Sequence, residues 1–230
     1  MRARLPSLLI SGPDGLAIGD EGNLFIADAH QGESFKVDGT SGLVTRVAGT
    51  GEQGFGGDRE SARNASFRFA NAMSVDKAGN RLIADYGNCR IRRLEHSTGI
   101  VRTLAVTGEV NQNGACAAGN LEPGPYPSDA VADSTGNAYF VEGAMDIVRS
   151  VDSQTLKLSP VGSGAKGYKG DGGPAVLAKL KDPSGLAIDR DGNLYVSEYV
   201  NSRIRRVDAK SKLITTIAGN GLPHRMEIMI

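Results

Sequence analysis

The chain has 230 residues, of which 40% are hydrophobic and 23% charged, the balance of an ordinary globular protein with a core of its own. Its 26 basic and 26 acidic residues cancel, which removes the electrostatic footprint of a nucleic-acid binder or of a protein held on an anionic membrane. With three histidines, two cysteines and no tryptophan, few side chains are available for metal or acid–base chemistry, and no stretch approaches the ~20 apolar residues of a membrane span.

From the N-terminus, residues 1–10 open with two arginines and a short apolar patch broken by Pro6. This is too short for a secretory leader and reads as the start of the fold. Beyond residue 10 the chain repeats. A Gly-Asn pair recurs at Gly22-Asn23, Gly79-Asn80, Gly136-Asn137 and Gly192-Asn193, at intervals of 57, 57 and 56 residues. The flanking residues recur with it, as GLAIGDEGNLFIAD, AMSVDKAGNRLIAD, AVADSTGNAYFVE and GLAIDRDGNLYVSE. About ten residues on come FKV, RRL, RSV and RRV, and each unit closes on an apolar run and a glycine.

Each unit predicts four short strands, a to d. In the fourth, strand a covers 186–188, a tight turn closed by Gly-Asn spans 189–193, and strands b, c and d cover 194–196, 203–207 and 213–218. Glycine at such a turn adopts the left-handed conformation at no Cβ cost. Short strands at 8–12-residue spacing with turns between them define an all-β chain, and four-stranded units in tandem define propeller blades. The expected fold is therefore a β-propeller of four-stranded antiparallel blades. The blades fall at about 11–51, 68–108, 127–164 and 181–221 in one domain, and 222–230 form a non-repeat tail. Between blades, 54–72 is a degraded copy of 167–185, where Pro174 is placed to start a short helix over 175–180.

The segments NLYVSEYVNSRIRRVD (193–208) and NRLIADYGNCRIRRLE (80–95) resemble the NHL-repeat family, and GYKGDGGPAVLAKLKDPSG (167–185) resembles the Gly-Asp-Gly-Gly insertion common in its bacterial members. The resemblance covers residues 11 to 221. It implies a propeller that is usually six-bladed and closed, and a protein that works outside the cytoplasm, although this chain carries no signal peptide of its own. Four blades leave two arrangements open: a closed four-bladed ring, or an open arc whose end faces invite self-association or belong to a larger propeller.

Blade topology puts the b–c and d–a loops on one face and the short a–b and c–d turns on the other. The first face carries the long insertions and is the candidate binding face. The expected ligand is a protein, peptide or glycan, with Asp28, His30, Asp85, Tyr86, Glu142, Glu198 and Tyr199 as the candidate contacts and no catalytic residue assigned. Asp28, Asp85, Glu142 and Glu198 end strand b in the four blades. They read either as a carboxylate ring for a hard cation such as Ca²⁺ or, because they recur in every blade, as acceptors for their own turns and for neighbouring arginines. The strand-c arginines read as interblade ion pairs. Cys89, on a b–c tip, and Cys116, in a d–a loop, share a face; they read either as a disulfide, if the protein is exported, or as two free thiols. Related propeller lyases hold a metal with several histidines; here His30 is the only one on the candidate face, so no cofactor is expected beyond that Ca²⁺. A lactonase- or lyase-like enzyme with axial Ca²⁺ is the alternative to a binding scaffold.

Overall fold

Every repeat folds as a four-stranded antiparallel sheet in the computed structural model, which describes residues 10–19, 21–111, 116–117 and 125–222. Blade 1 contains β1 (Pro13–Ile18), β2 (Leu24–Asp28), β3 (Glu33–Val37) and β4 (Val44–Ala48). Blade 2 contains β5 (Ala70–Val75), β6 (Arg81–Asp85), β7 (Arg90–Leu94) and β8 (Val101–Val106). A small ladder of β9 (Glu109–Val110) and β10 (Cys116–Ala117) lies in the next linker. Blade 3 contains β11 (Pro127–Ala132), β12 (Ala138–Glu142), β13 (Ile147–Val151) and β14 (Leu158–Pro160), and blade 4 contains β15 (Pro183–Ile188), β16 (Leu194–Glu198), β17 (Arg203–Val207) and β18 (Ile214–Ala218). The strands pair in sequence order within each sheet. The tail over 223–230 lies outside the described residues. The helix expected over 175–180 is only a 3-10 turn, Ala175–Leu177, and the degraded copy forms the same turn at Ala62–Asn64.

The Gly-Asn signature has a direct physical role. Gly22, Gly79, Gly136 and Gly192 take φ of 72°, 80°, 86° and 84°, the left-handed region that glycine enters freely. The asparagine next in the chain ties together two turns on the same face. Its Oδ1 accepts the backbone N–H of Gly39, His96, Ser153 and Ala209 in blades 1 to 4, each at the start of a c–d turn. In blades 2 to 4 its Nδ2 donates to Asp76, Asp133 and Asp189 in its own a–b turn. The repeat is thus marked by the residue that locks the hairpins of one blade to each other.

The inner strands β1, β5, β11 and β15 succeed one another around an axis, each packed on the next, and β15 is not packed on β1 in this way. Three apolar clusters fill the three blade-to-blade interfaces, each with residues from both neighbours: Phe25 with Ile83, Leu82 with Phe140, and Val141 with Val196. The linkers contribute as well, with Ala62, Ala65 and Phe67 in the first interface and Ala175, Ala178 and Leu180 in the third. The ring is therefore an open arc among the described residues. Leu16 and Ile18, on the free face of blade 1, are 62% and 74% exposed, whereas Met73 at the Leu16 position of blade 2 is 6% exposed.

Two outcomes test this frame. Asn193→Ala leaves the Ala209 N–H without its acceptor and is expected to cost roughly 1–3 kcal/mol, read by urea denaturation. The second concerns acid. Asp38 and Asp208 in the c–d turns accept backbone and hydroxyl hydrogen bonds, chiefly from Ser41 and Ser211, which hold their carboxyls down at about 2 against an ordinary 3.8. Groups depressed in the folded state stabilise above their unfolded pKa and lose that contribution as pH falls through the folded value. The melting temperature should therefore drop between pH 4 and pH 2. Asp38→Asn with Asp208→Asn, which keeps the acceptors but not the charge, should make that drop shallower.

Candidate functional site

The face formed by the b–c and d–a loops is built on the acid that ends strand b. In blade 1, Asp28 is fully buried and accepts the backbone N–H groups of Ser11, Gly12, His30 and Gln31 at 2.7–3.2 Å. Burial pushes its carboxyl up, but the four donors together outweigh burial and hold it below its ordinary value. In blade 2, Asp85 accepts from the Arg68 N–H at 2.8 Å and from the Asn88 Nδ2 at 2.9 Å. In blade 3, Glu142 receives the Arg149 Nε at 3.0 Å. In blade 4, Glu198 accepts from the Lys181 N–H, from Asn201 and from the Arg205 guanidinium.

Blades 2 and 4 carry a further layer. Arg92 and Arg205 are fully buried, which requires full compensation of their charge. Arg92 lies 3.6 Å from Asp85 and 3.6 Å from Asp58 of the preceding insertion, and its two terminal nitrogens donate to the carbonyls of Ser66 and Gly56. Arg205 lies 3.0 Å from Glu198 and 2.8 Å from Asp171. An aromatic ring from each insertion caps the pair: Phe55 lies over Arg90 and Arg92, and Tyr168 over Arg203 and Arg205, with centroid distances of 3.8–5.1 Å. Asn88 and Asn201 complete the clamp by donating to the carbonyls of Gly54 and Gly167, where the insertions begin. Burial pushes the Asp85 carboxyl up to about 6 and the Arg92 guanidinium down, since removal from water outweighs what the partners return. Asp171, at the surface, moves the other way: burial raises it, but Thr216, Tyr168 and Arg205 hold it below its ordinary value.

The strand-c arginines therefore pair within their own blade and with the preceding insertion, not between blades as the sequence suggested. The insertion is the reason: it lies across the blade it precedes and reaches the arginine first. Nor does the structure gather the four strand-b acids. Each is turned into its own blade, and among the described residues no three His, Cys, Asp or Glu side chains come together as a metal site. Cys89 and Cys116 form a disulfide, with Cα atoms 5.6 Å apart, which fastens the b–c tip of blade 2 to β10. Tyr86, on the same tip, stacks on Tyr126 at 4.5 Å, and burial raises its phenol.

Of the candidate contacts, His30 and Tyr199 stand exposed on the tips of blades 1 and 4, Tyr199 at 77%. A second feature lies on the opposite face, where the sequence pointed to nothing. The last residues of the four inner strands, Ile18, Val75, Ala132 and Ile188, line a concavity of about 550 Å³ with the a–b turns around it, including Lys77 and Arg190. Those turns are short and alike, so they read as repeat hardware. Only the convergence of four blades on one axis makes a cavity of them.

Four-stranded blades in radial array, joined at apolar faces and arranged around an axis, define a β-propeller. One repeat of that class is recognisable by itself: a family model for the NHL repeat matches residues 180–207, over the first three strands of blade 4. The plant protein Suppressor of Quenching 1, chloroplastic, from Arabidopsis thaliana is 25% identical over 223 residues, a match that covers 91% of this chain and 21% of that protein. Among solved structures, the virginiamycin B lyase of Staphylococcus aureus superposes with a TM-score of 0.58 at 16% identity, covering 93% of this chain and 57% of that one. An auxiliary nutrient binding protein from Bacteroides ovatus gives 0.60 at 15%, covering 93% of this chain and 48% of the other. These likenesses show the fold. The chain spans about a fifth of the plant protein and about half of the two solved propellers.

Removing the arginine of a clamp strands a buried carboxylate. Arg205→Met should cost about 3–5 kcal/mol in urea denaturation, and adding Glu198→Gln to it should recover much of that loss.

Proposed function

We propose that this chain is a recognition scaffold that binds a protein, peptide or glycan through the face bearing the b–c tips and the d–a insertions. One observation carries the reading. The buried acids anchor the tips of blades 1, 2 and 4, Asp28 through the backbone N–H groups of His30 and Gln31 and Asp85 and Glu198 through Asn88 and Asn201, and the side chains raised above them differ from blade to blade, with Tyr199 77% exposed. Rigid elements that present variable, exposed aromatic and polar side chains suit binding, because little ordering entropy remains to be lost on contact. A neighbour described as a nutrient binding protein uses the same fold, and a neighbour described as a lyase does too, so fold alone does not choose between them. The Cys89–Cys116 bridge suits an oxidising compartment, which favours ligands met outside the cytoplasm. Neither Ca²⁺ nor another cofactor enters this reading, because the strand-b carboxylates are already engaged by donors of the chain itself.

The test is binding to glycan and peptide arrays, with titration of the hits. Tyr199→Ala is expected to weaken a hit by ten- to a hundredfold, the cost of about 2 kcal/mol that truncation of an anchoring aromatic brings. Lys77→Ala, on the opposite face, should leave the affinity unchanged. Loss with Lys77→Ala and none with Tyr199→Ala would move the binding site to the axial concavity and end the proposal.

A further inference from the structure

The two free faces of the arc stand at the positions of the two sides of the junction between blades 3 and 4. At the junction of blades 3 and 4, Val131 and Tyr139 of blade 3 meet Leu186 and Ile188 of blade 4, in the cluster that also buries Val141, Val148 and Val196. Blade 1 carries the same residues as blade 4 at the receiving positions: GLAI at 15–18 matches GLAI at 185–188. Here, however, Leu16 and Ile18 face no blade and stand 62% and 74% exposed. Blade 4 in turn repeats the donating side of blade 3 in part, with Ala187 and Ser197 where blade 3 has Val131 and Val141. Tyr195 stands where blade 3 has Tyr139, and Ile204 where it has Val148. Val148 is fully buried at its junction, while Ile204 is 41% exposed.

We propose that the free face of blade 4 in one copy of this chain docks on the free face of blade 1 in a second copy, reproducing the junction between blades 3 and 4. The occupant is another copy because the blade-1 face is built to receive a blade with Tyr at the 139 position and a β-branched residue at the 148 position. Among the described residues, blade 4 is the one blade with such a face uncovered. A contact of this kind is heterologous: the two surfaces differ, and each copy presents one of each. It closes into a ring when the rotation per copy divides a full turn and otherwise grows head to tail. It does not use the tips of the candidate binding face, so assembly and ligand recognition are separable.

The experiment is the solution mass of the whole 230-residue chain over a dilution series, by light scattering or sedimentation velocity. The unmodified chain is expected to reach at least double the monomer mass at the concentrated end and to fall toward the monomer on dilution. Ile18→Asp closes the blade-1 end and Ile204→Asp the blade-4 end. Both side chains are exposed, so circular dichroism and melting temperature should match the unmodified chain; should Ile204→Asp fold poorly, Ala187→Asp, which is exposed on the same face, replaces it. Each variant alone should stay monomeric. Mixed, the two should form a dimer that grows no further, since one intact end of each kind remains. A monomer at every concentration overturns the proposal. So does an assembly that survives either single variant, or one that mixing fails to restore.

Discussion

Each blade of this protein is a small twisted sheet with two apolar faces, and neither face can be left in water without cost. A strand buried on both sides carries apolar residues at successive positions, as in Leu82-Ile83-Ala84, where Leu82 and Ala84 enter one interface and Ile83 the other. At about 25 cal/mol per Å² of apolar surface, a blade's stability comes mostly from what its neighbours cover, as in other repeat architectures. The radial arrangement, the contribution of the linkers to the interfaces and the exposure of Leu16 and Ile18 all stem from that requirement.

The polar interior is a second consequence of close stacking. Where strand c must pass beneath an insertion, blades 2 and 4 place a buried arginine rather than an apolar residue, and the insertion supplies an aspartate and an aromatic ring to it. A buried arginine is a poor source of net stability, because its desolvation consumes most of what its partners return. Its value lies in geometry. Arg92 and Arg205 accept one arrangement of Asp58 and Asp85, or of Asp171 and Glu198, and so fix the insertion on its blade. Blade 1 has Phe35 at the equivalent position, and there Asp28 turns chiefly to backbone donors, with the Ser11 hydroxyl beside them.

Much of this was legible in the sequence because it repeats. Four Gly-Asn pairs in fixed register place four blades and their strands, and the acid at the end of strand b is visible as a recurrence. What the acid binds is not visible, since its partners come from turns and linkers that periodicity does not align. The first insertion looks degraded because Arg59 stands where the second copy has Gly172, yet Arg59 takes φ of 68° where Gly172 takes 78°, and the loop keeps its shape. In the same way Gly32 closes the b–c turn of blade 1, while Cys89, Asp146 and Ser202 take the same left-handed conformation in the others. Tertiary clamps here impose a backbone that local preference would assign to glycine. Closure of the ring was illegible for a different reason. It depends on the angle between blades, which is set by packing across whole faces and leaves no local signature.

The clamps also determine where this protein is free to vary. The donors to Asp28 from the tip are the backbone N–H groups of His30 and Gln31, so exchanging those side chains leaves the hydrogen bonds in place. The same separation holds in blade 4, where Asn201 and Arg205 secure Glu198 while Tyr199 and Val200 point outward, 77% and 47% exposed. Among the described residues no insertion carboxylate reaches Arg149 in blade 3, and the tip of that blade begins with Gly143 and Ala144, which present little to a ligand. Recognition through this face would therefore be unequal, carried by the tips of blades 1, 2 and 4, while the four-stranded sheet underneath repeats in all four. A repeat protein can diverge in what it binds under that division of labour, since the residues that hold the loops are not the residues that meet the ligand.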